Sequence, residues 1–442
     1  MRKFDKFFEL AKAAGIEECE FSVASSYSLS FSLFHGEIDD YQTNESYTYF
    51  ARGIFKGKMG AIISDTFEKG AEERFVKTII QNASVIENDD PVFIFKGSKK
   101  YKRISTFNKE LANISIKIKL DNLYKLEEKI KSLDKRVFEV QSVGYSESAS
   151  SMTMMNSHGL KLSEKTNYYV YYGAALAKVD EQVKSGFEMF FDNDFSHFDV
   201  DKLAQAVVDE TVSQLNGEQC QSATYKAVLS PKVVNSLMSA YIGSAIAEDV
   251  QKNSSLFVGK LNQKVASNKV TITSKPLAKT LFARSFDDEG VATQNMDVIK
   301  NGTLMNYFYN LTTAAKDGVE SNGHGSVGAG SKVYTSTWFL EMKPGKKSQD
   351  ELFALVGDGV YITDVQGLHA GLNPRSGNFS LQSTGFMIEN GKVTHPLDII
   401  TVSGNLVDLF KSIKYVGSDA KMFVNAASCP SVLVNKIAVS GK

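Results

Sequence analysis

Phe21-Ser22-Val23-Ala24-Ser25-Ser26-Tyr27-Ser28-Leu29-Ser30-Phe31-Ser32-Leu33 alternates large apolar or aromatic residues with small polar ones. A strand sends successive side chains to opposite faces, so this period of two specifies an unusually long strand with one buried face. Upstream, residues 2–14 place Phe4, Phe7, Phe8, Ala11 and Ala14 on one helical face, and Gly15 supplies the stop. Downstream, His35-Gly36-Glu37 turns the chain. Residues 47–55 and 59–63 continue a meander broken at Gly53 and Gly57, and residues 69–83 return to a helix.

The same order then repeats. Residues 120–133 read as a charged amphipathic helix. Residues 137–145, 148–155, 160–172 and 186–192 read as strands, with Asn156-Ser157-His158-Gly159 as a hairpin turn. Residues 199–215 close the unit as a helix capped by Asp199 and stopped near Asn216-Gly217. The pattern predicts an α+β N-terminal domain over residues 1–217, a possible duplication of helix/antiparallel-meander units at about 1–110 and 111–217. Between them Val92-Phe93-Ile94-Phe95 reads as a short strand. The cluster Lys99-Lys100-Tyr101-Lys102-Arg103 reads as a solvated loop rather than a nucleic-acid patch.

The polar stretch 218–224 marks a boundary, and residues 218–442 read as a strand-rich, barrel-like C-terminal domain. After a strand at 225–229, residues 230–250 read as one helix, with Ser230 as N-cap, Pro231 at the first position, and Val234, Leu237, Met238, Tyr241, Ala245 and Ile246 on one face. Strands are expected at 268–273, 281–285, 303–311, 333–342, 360–365, 379–389, 392–394 and 429–440. Helices are expected at 348–356 and 406–413, and Asn390-Gly391 signals a tight hairpin.

Composition narrows the function classes. The 442 residues carry a net charge of −1, which argues against binding nucleic acid or membrane through overall charge. No apolar run is long enough for a transmembrane helix, the N-terminus lacks a signal-peptide block, and a cytoplasmic location is expected. Cys19, Cys220 and Cys429 are far apart and read as reduced thiols. The six histidines include no two within one helical turn, so no paired-histidine zinc helix exists.

Gly323-His324-Gly325-Ser326-Val327-Gly328 has the spacing of a dinucleotide loop, but a strand pattern follows it where a helix is required. It reads as a mobile Gly-rich loop. A sharper alternative makes Asn322, Gly323 and His324 part of a peptide cleft, with Arg375 and Asn378 of the turn Asn373-Pro374-Arg375-Ser376-Gly377-Asn378 gripping a carboxylate. Ser285-Phe286-Asp287-Asp288-Glu289-Gly290 packs three acids into what reads as a solvated turn, without further ligands at metal-binding spacing.

Several blocks in order resemble the TldD/PmbA family, and specifically its PmbA (TldE) branch. They are Phe286-Asp287-Asp288-Glu289-Gly290-Val291, Asn301-Gly302-Thr303-Leu304, Ser321-Asn322-Gly323-His324, Thr384-Gly385-Phe386-Met387-Ile388-Glu389-Asn390-Gly391-Lys392-Val393, His395-Pro396, Ile400-Thr401-Val402-Ser403-Gly404-Asn405-Leu406 and Val416-Gly417-Ser418-Asp419. The resemblance spans roughly residues 225–441. It implies a cytosolic zinc-metallopeptidase family whose TldD-type members carry an HExxxH helix and a downstream cysteine ligand, and process unfolded peptides. PmbA-type subunits pair with them in a heterodimer; the family's older label, modulator of DNA gyrase, is taken as indirect.

The zinc helix of that family falls on residues 237–244. Met238, Ser239 and Gly243 stand where the ligands and general base belong, and Cys429 reads as the start of the last strand. No catalytic or metal residue is therefore assigned, and zinc is expected only in a TldD-type partner. Three readings follow: a non-catalytic subunit paired with a TldD-type peptidase and admitting unfolded peptides, a stand-alone peptidase with another metal arrangement or none, and a homodimeric peptide-binding protein.

Overall fold

The computed structural model describes residues 4–328 and 332–441. The alternating stretch forms strand β1 (Glu18–Phe34), pairing antiparallel with β2 (Glu37–Phe55) on one side and β4 (Val137–Asn156) on the other. With β3 (Lys58–Ser64), β5 (Lys161–Val179) and β6 (Gln182–Asp192) it builds one sheet of order β3-β2-β1-β4-β5-β6. Helices α1 (Asp5–Ala13) and α2 (Ala71–Ser84) flank the first three strands in sequence, and α3 (Ile116–Leu133) and α4 (Val200–Ser213) the second three. The two helix–meander–helix units thus meet at the antiparallel β1–β4 seam.

β1 serves two cores at once. Phe21 packs with Phe7, Phe75 and Ile79. Farther along the same face, Leu29, Phe31 and Leu33 pack with Leu123, Leu126, Ile130 and Val207. Tyr27, between the two helical layers, is 39% exposed. The opposite, serine-bearing face turns toward the C-terminal half.

Local departures from the sequence reading have physical causes. The strands expected at 137–145 and 148–155 are one strand. Glu147, which interrupts the apolar alternation, is held 2.5 Å from the Nζ of Lys119, itself buried on α3. β2 begins ten residues early, at Glu37, because both its faces are exposed there and no alternation signals it. Residues 92–95 form no strand, and residues 2 and 3 of the first expected helix lie outside the described residues.

In the C-terminal half, β7 (Ala223–Leu229) pairs in parallel with Gly359–Gln366 and antiparallel with Val432–Ser440. Asn378–Glu389 and Lys392–Asn405 continue the sheet. Thr401, Val402 and Ser403 then pair with Ser440, Val439 and Ala438, which closes a five-stranded barrel. A second sheet of short strands includes Met296–Lys300, Ile272–Ser274, Leu340–Met342 and Ala427–Cys429.

The helix expected over 230–250 is two. α5 (Pro231–Gly243) is capped by the Ser230 hydroxyl accepting from Val233 N–H, and α6 (Ala247–Gln251) follows. The break lies where Ile246 forms a parallel bridge with Phe308: Phe308 N–H donates to Ala245 C=O at 2.8 Å, and Ala247 N–H to Phe308 C=O at 3.0 Å. Apolar spacing runs through the break, so the sequence does not mark it. Residues 281–285 form turns, not a strand. The strand expected at 303–311 is Thr303–Leu304 followed by an irregular run into the Asn310-capped helix Leu311–Asp317. The segment 333–342 divides into Val333–Thr335 and Leu340–Met342, and 429–440 is interrupted at Pro430.

The two halves are joined by a buried ion cluster. Arg52 of β2 donates from Nε to Glu20 of β1 at 3.2 Å and from Nη1 to Glu289 of the C-terminal half at 3.2 Å; all three residues are at most 3% exposed. Glu289 Oε2 also accepts Leu311 N–H at 2.7 Å. Asp287 accepts from the N–H groups of Glu289, Val291 and Gly325. The acidic turn 285–290, expected to be solvated, is therefore an interior clasp. Removing one member strands the others as uncompensated buried charges. Arg52→Met is expected to destabilise the protein by about 3–5 kcal/mol in urea unfolding, whereas Lys6→Met, which breaks the exposed pair with Glu73, should leave the unfolding midpoint unchanged within error.

Candidate functional site: a cleft between the serine face and the C-terminal half

Where the serine face of the sheet and the C-terminal half part, they leave a cleft of about 430 Å³. Ala24, Ser150, Met152, Glu164, Thr166 and Tyr168 form its sheet side, and Phe282, Arg284, Trp338, Phe339 and Ala426 the other. Phe282 stacks on Phe339 at 12° and 6.1 Å, and also meets Phe191 of β6. The Arg284 guanidinium lies 4.3 Å from the Trp338 ring centroid, a cation–π geometry. Its Nη2 is 2.6 Å from Asp288 and 3.3 Å from Glu164, while its buried Nε has no hydrogen-bond partner among the described residues. Burial pushes the Glu164 carboxyl above its ordinary range, against the pull of Arg284. The cleft therefore offers an aromatic wall, a hydroxyl floor and an arginine fixed by two carboxylates, a lining suited to an extended chain with mixed side chains.

Beside Ala426, Asn425 Nδ2 donates to Asn235 Oδ1 at 3.2 Å and to the Ser239 hydroxyl at 3.4 Å, joining the cleft wall to α5. Met238 is fully buried, and its sulfur lies 3.8 Å from that of Cys429. Cys429, expected at the start of the last strand, ends the short strand Ala427–Cys429, which brings it against α5. Burial pushes this thiol up to about 12, so it is protonated at neutral pH. Gly243 offers no side chain, and a Cβ there would meet nothing within 4 Å. A thioether, a hydroxyl, a bare Cα and a single thiol are not a zinc ligand set. Among the described residues, no three His, Cys, Asp or Glu residues are grouped so as to hold a metal ion.

The residues singled out from sequence do not converge on the cleft. Arg375 and Asn378 are exposed on a separate surface loop, where Asn405 Nδ2 donates to Asn378 Oδ1 at 2.8 Å. Asn322, Gly323 and His324 are interior. Asn322 accepts from Tyr309 N–H and donates to Tyr307 C=O, and Gly323 C=O accepts from the Trp338 indole. His324 is 0% exposed, with Nδ1 2.9 Å from Asn322 Oδ1 and Nε2 3.2 Å from Ser274 Oγ. Two oxygen acceptors at Nδ1 place the proton there, so Nε2 accepts from Ser274. The glycines around His324 suggested an open loop; instead Gly325–Val327 pairs with Val333–Thr335 as a hairpin, and residues 329–331 lie outside the described residues.

Comparison with known proteins decides the lineage. The PmbA/TldA metallopeptidase C-terminal domain matches residues 222–441, and the PmbA/TldA metallopeptidase central domain matches residues 109–215. A crystal structure from Thermotoga maritima, described as a candidate modulator of a DNA gyrase, is 31% identical, with 99% of each chain covered and a TM-score of 0.92. The chain belongs to the PmbA/TldD metallopeptidase family. Metalloprotease PmbA of Escherichia coli is 22% identical over 96% of this chain and 92% of its own length. TldE from Thermococcus kodakarensis shares the fold, with a TM-score of 0.91 at 21% identity over 99% of this chain and 100% of its own. No helix among the described residues is long and apolar enough to cross a membrane.

Burial lowers the His324 pKa from 6.5 to about 3. The unfolded chain takes up a proton at the ordinary value while the folded chain does not, so stability is full above pH 6.5 and falls as pH drops toward 3. The slope is at most about 1.4 kcal/mol per pH unit. His324→Asn should lower stability at pH 7 and flatten that slope, as measured by urea midpoints between pH 7 and pH 4.

Proposed function

We propose that this chain is a non-catalytic, PmbA/TldE-type subunit. It pairs with a TldD-type zinc peptidase in the cytoplasm and lines a shared path for unfolded or extended peptides. The observation that carries this reading is α5. It lies where the sequence resemblance puts the family's zinc helix, yet presents Met238, Ser239 and Gly243, with Cys429 as a lone thiol beside Met238. Zinc and its activated water then belong to the partner, and this chain supplies surface: the cleft between the serine face of the sheet and the C-terminal half, with Arg284, Trp338 and Phe282 on its wall. The relatives named metalloproteases support a role in peptide processing.

A stand-alone peptidase is the second reading, favoured by those same names, and a homodimeric peptide-binding protein is the third. Affinity purification of the tagged chain from its host separates them. The first reading expects a TldD-type chain to co-purify, with casein hydrolysis lost on adding chelator and zinc tracking the partner. The isolated chain should hold far less than one zinc and hydrolyse nothing. Full peptidase activity in the isolated chain would overturn this reading, and a pure homodimer with no TldD-type partner would support the third.

A further inference from the structure

The two helix–meander–helix units differ at one sheet edge. In the second unit, β6 covers Tyr169–Val179 of β5, and the chain preceding α3 approaches the remainder. Thr106 bridges Thr166 in parallel and donates from its hydroxyl to Lys165 C=O at 3.2 Å, while Asn108 and Asn167 exchange two bonds of 2.8 Å. In the first unit, β3 covers β2 from Tyr49 to Phe55, and among the described residues nothing pairs with the outer edge of residues 37–48. That stretch is nonetheless a formed strand, paired with β1 from Glu37 opposite Phe34 to Thr48 opposite Ala24, with one register shift at Asp39 and an unbroken register from Asp40 onward. Its outward N–H and C=O groups are a template for another strand.

The side chains give this edge a sign. Residues 37–48 carry Glu37, Asp39, Asp40 and Glu45 and no lysine or arginine. Asp40 accepts only from the Gln42 amide and Glu45 from the Tyr47 hydroxyl, both neutral donors. Ile38, Tyr41 and Tyr47 are 45–48% exposed on the same stretch. Proteins blunt an edge by shortening it, bulging it away, or placing charged residues or proline on it; here the charges are all of one sign and stand beside three exposed large side chains, so the edge repels acidic or like strands and stays open to a basic one. A second copy of the same edge would set its four acids against these four, which like-charge repulsion disfavours.

We infer that the outer edge of β2 binds an extended, lysine- or arginine-bearing peptide segment by strand addition. The backbone edge supplies the ladder, the four carboxylates select positive side chains, and Ile38, Tyr41 and Tyr47 supply apolar contact. This surface is distinct from the interdomain cleft and does not depend on pairing with a TldD-type subunit, so the test uses this chain alone. A labelled ten-residue peptide alternating lysine with valine should bind in fluorescence anisotropy, more weakly as ionic strength rises. Its glutamate–valine counterpart should not bind. Asp39→Lys combined with Glu45→Lys, both at exposed positions, should weaken binding by about tenfold or more. Hydrogen exchange should slow on peptide addition at residues 37–48 and stay constant at residues 49–55, already paired with β3. Equal binding of the acidic peptide, unchanged affinity in the double variant, or no new protection at 37–48 would each overturn the inference. No binding of the basic peptide would mean that the carboxylates only guard the edge.

Discussion

Arg52 holds the molecule together. Its guanidinium sits between Glu20, its cross-strand neighbour, and Glu289, far along the chain, with water excluded from all three. Two carboxylates around one guanidinium leave an excess negative charge, and burial raises the Glu20 carboxyl above its ordinary range. The excess is tolerable because backbone donors supply what salt bridges do not: Leu311 N–H to Glu289, and three N–H groups to Asp287. The acidic turn thereby fixes where the Leu311–Asp317 helix starts and where the hairpin carrying Gly325 leaves. The cleft walls inherit their separation from this clasp.

The N-terminal half was legible because its physics is local. Alternation specified β1, and Gly15 and Asp199 marked helix ends, whereas the Ser115 cap starts α3 at Ile116, ahead of the expected residue 120. Legibility failed where a distant partner changed the meaning of a residue. Glu147 reads as a break until Lys119 is placed beside it, and the 230–250 periodicity reads as one helix until Phe308 bridges Ile246. The short strands of the second sheet owe their existence to neighbours rather than to their own patterns. The cleft was invisible for the same reason: Glu164, Phe282, Arg284, Trp338 and Ala426 come from separate segments and form no motif. Asn322 and His324 are polar residues in a glycine-rich stretch, a pattern that does not distinguish a binding loop from a buried network.

Helix α5 is held in place at several points along its length. Its cap, its stacking of Tyr241 on Phe410 at 4.3 Å, and the Tyr241 hydroxyl's bond to Val265 C=O all fix its position. Met238 meets Cys429 as two sulfurs in an apolar interior, a contact that fills space and leaves neither group ionised.

The sharing of β1 between two cores bears on how the chain reaches this fold. Each meander closes through short turns, but the seam between them joins Leu33 to Val143 and Glu20 to Asn156, positions remote in sequence. Closing so wide a loop has a high entropic cost, and the contacts that offset it lie on both helical layers. Neither layer can complete its packing without the strand that the other also grips. The two halves of the sheet are thereby obliged to order together, and the seam behaves as a checkpoint in assembly rather than as one ladder among five.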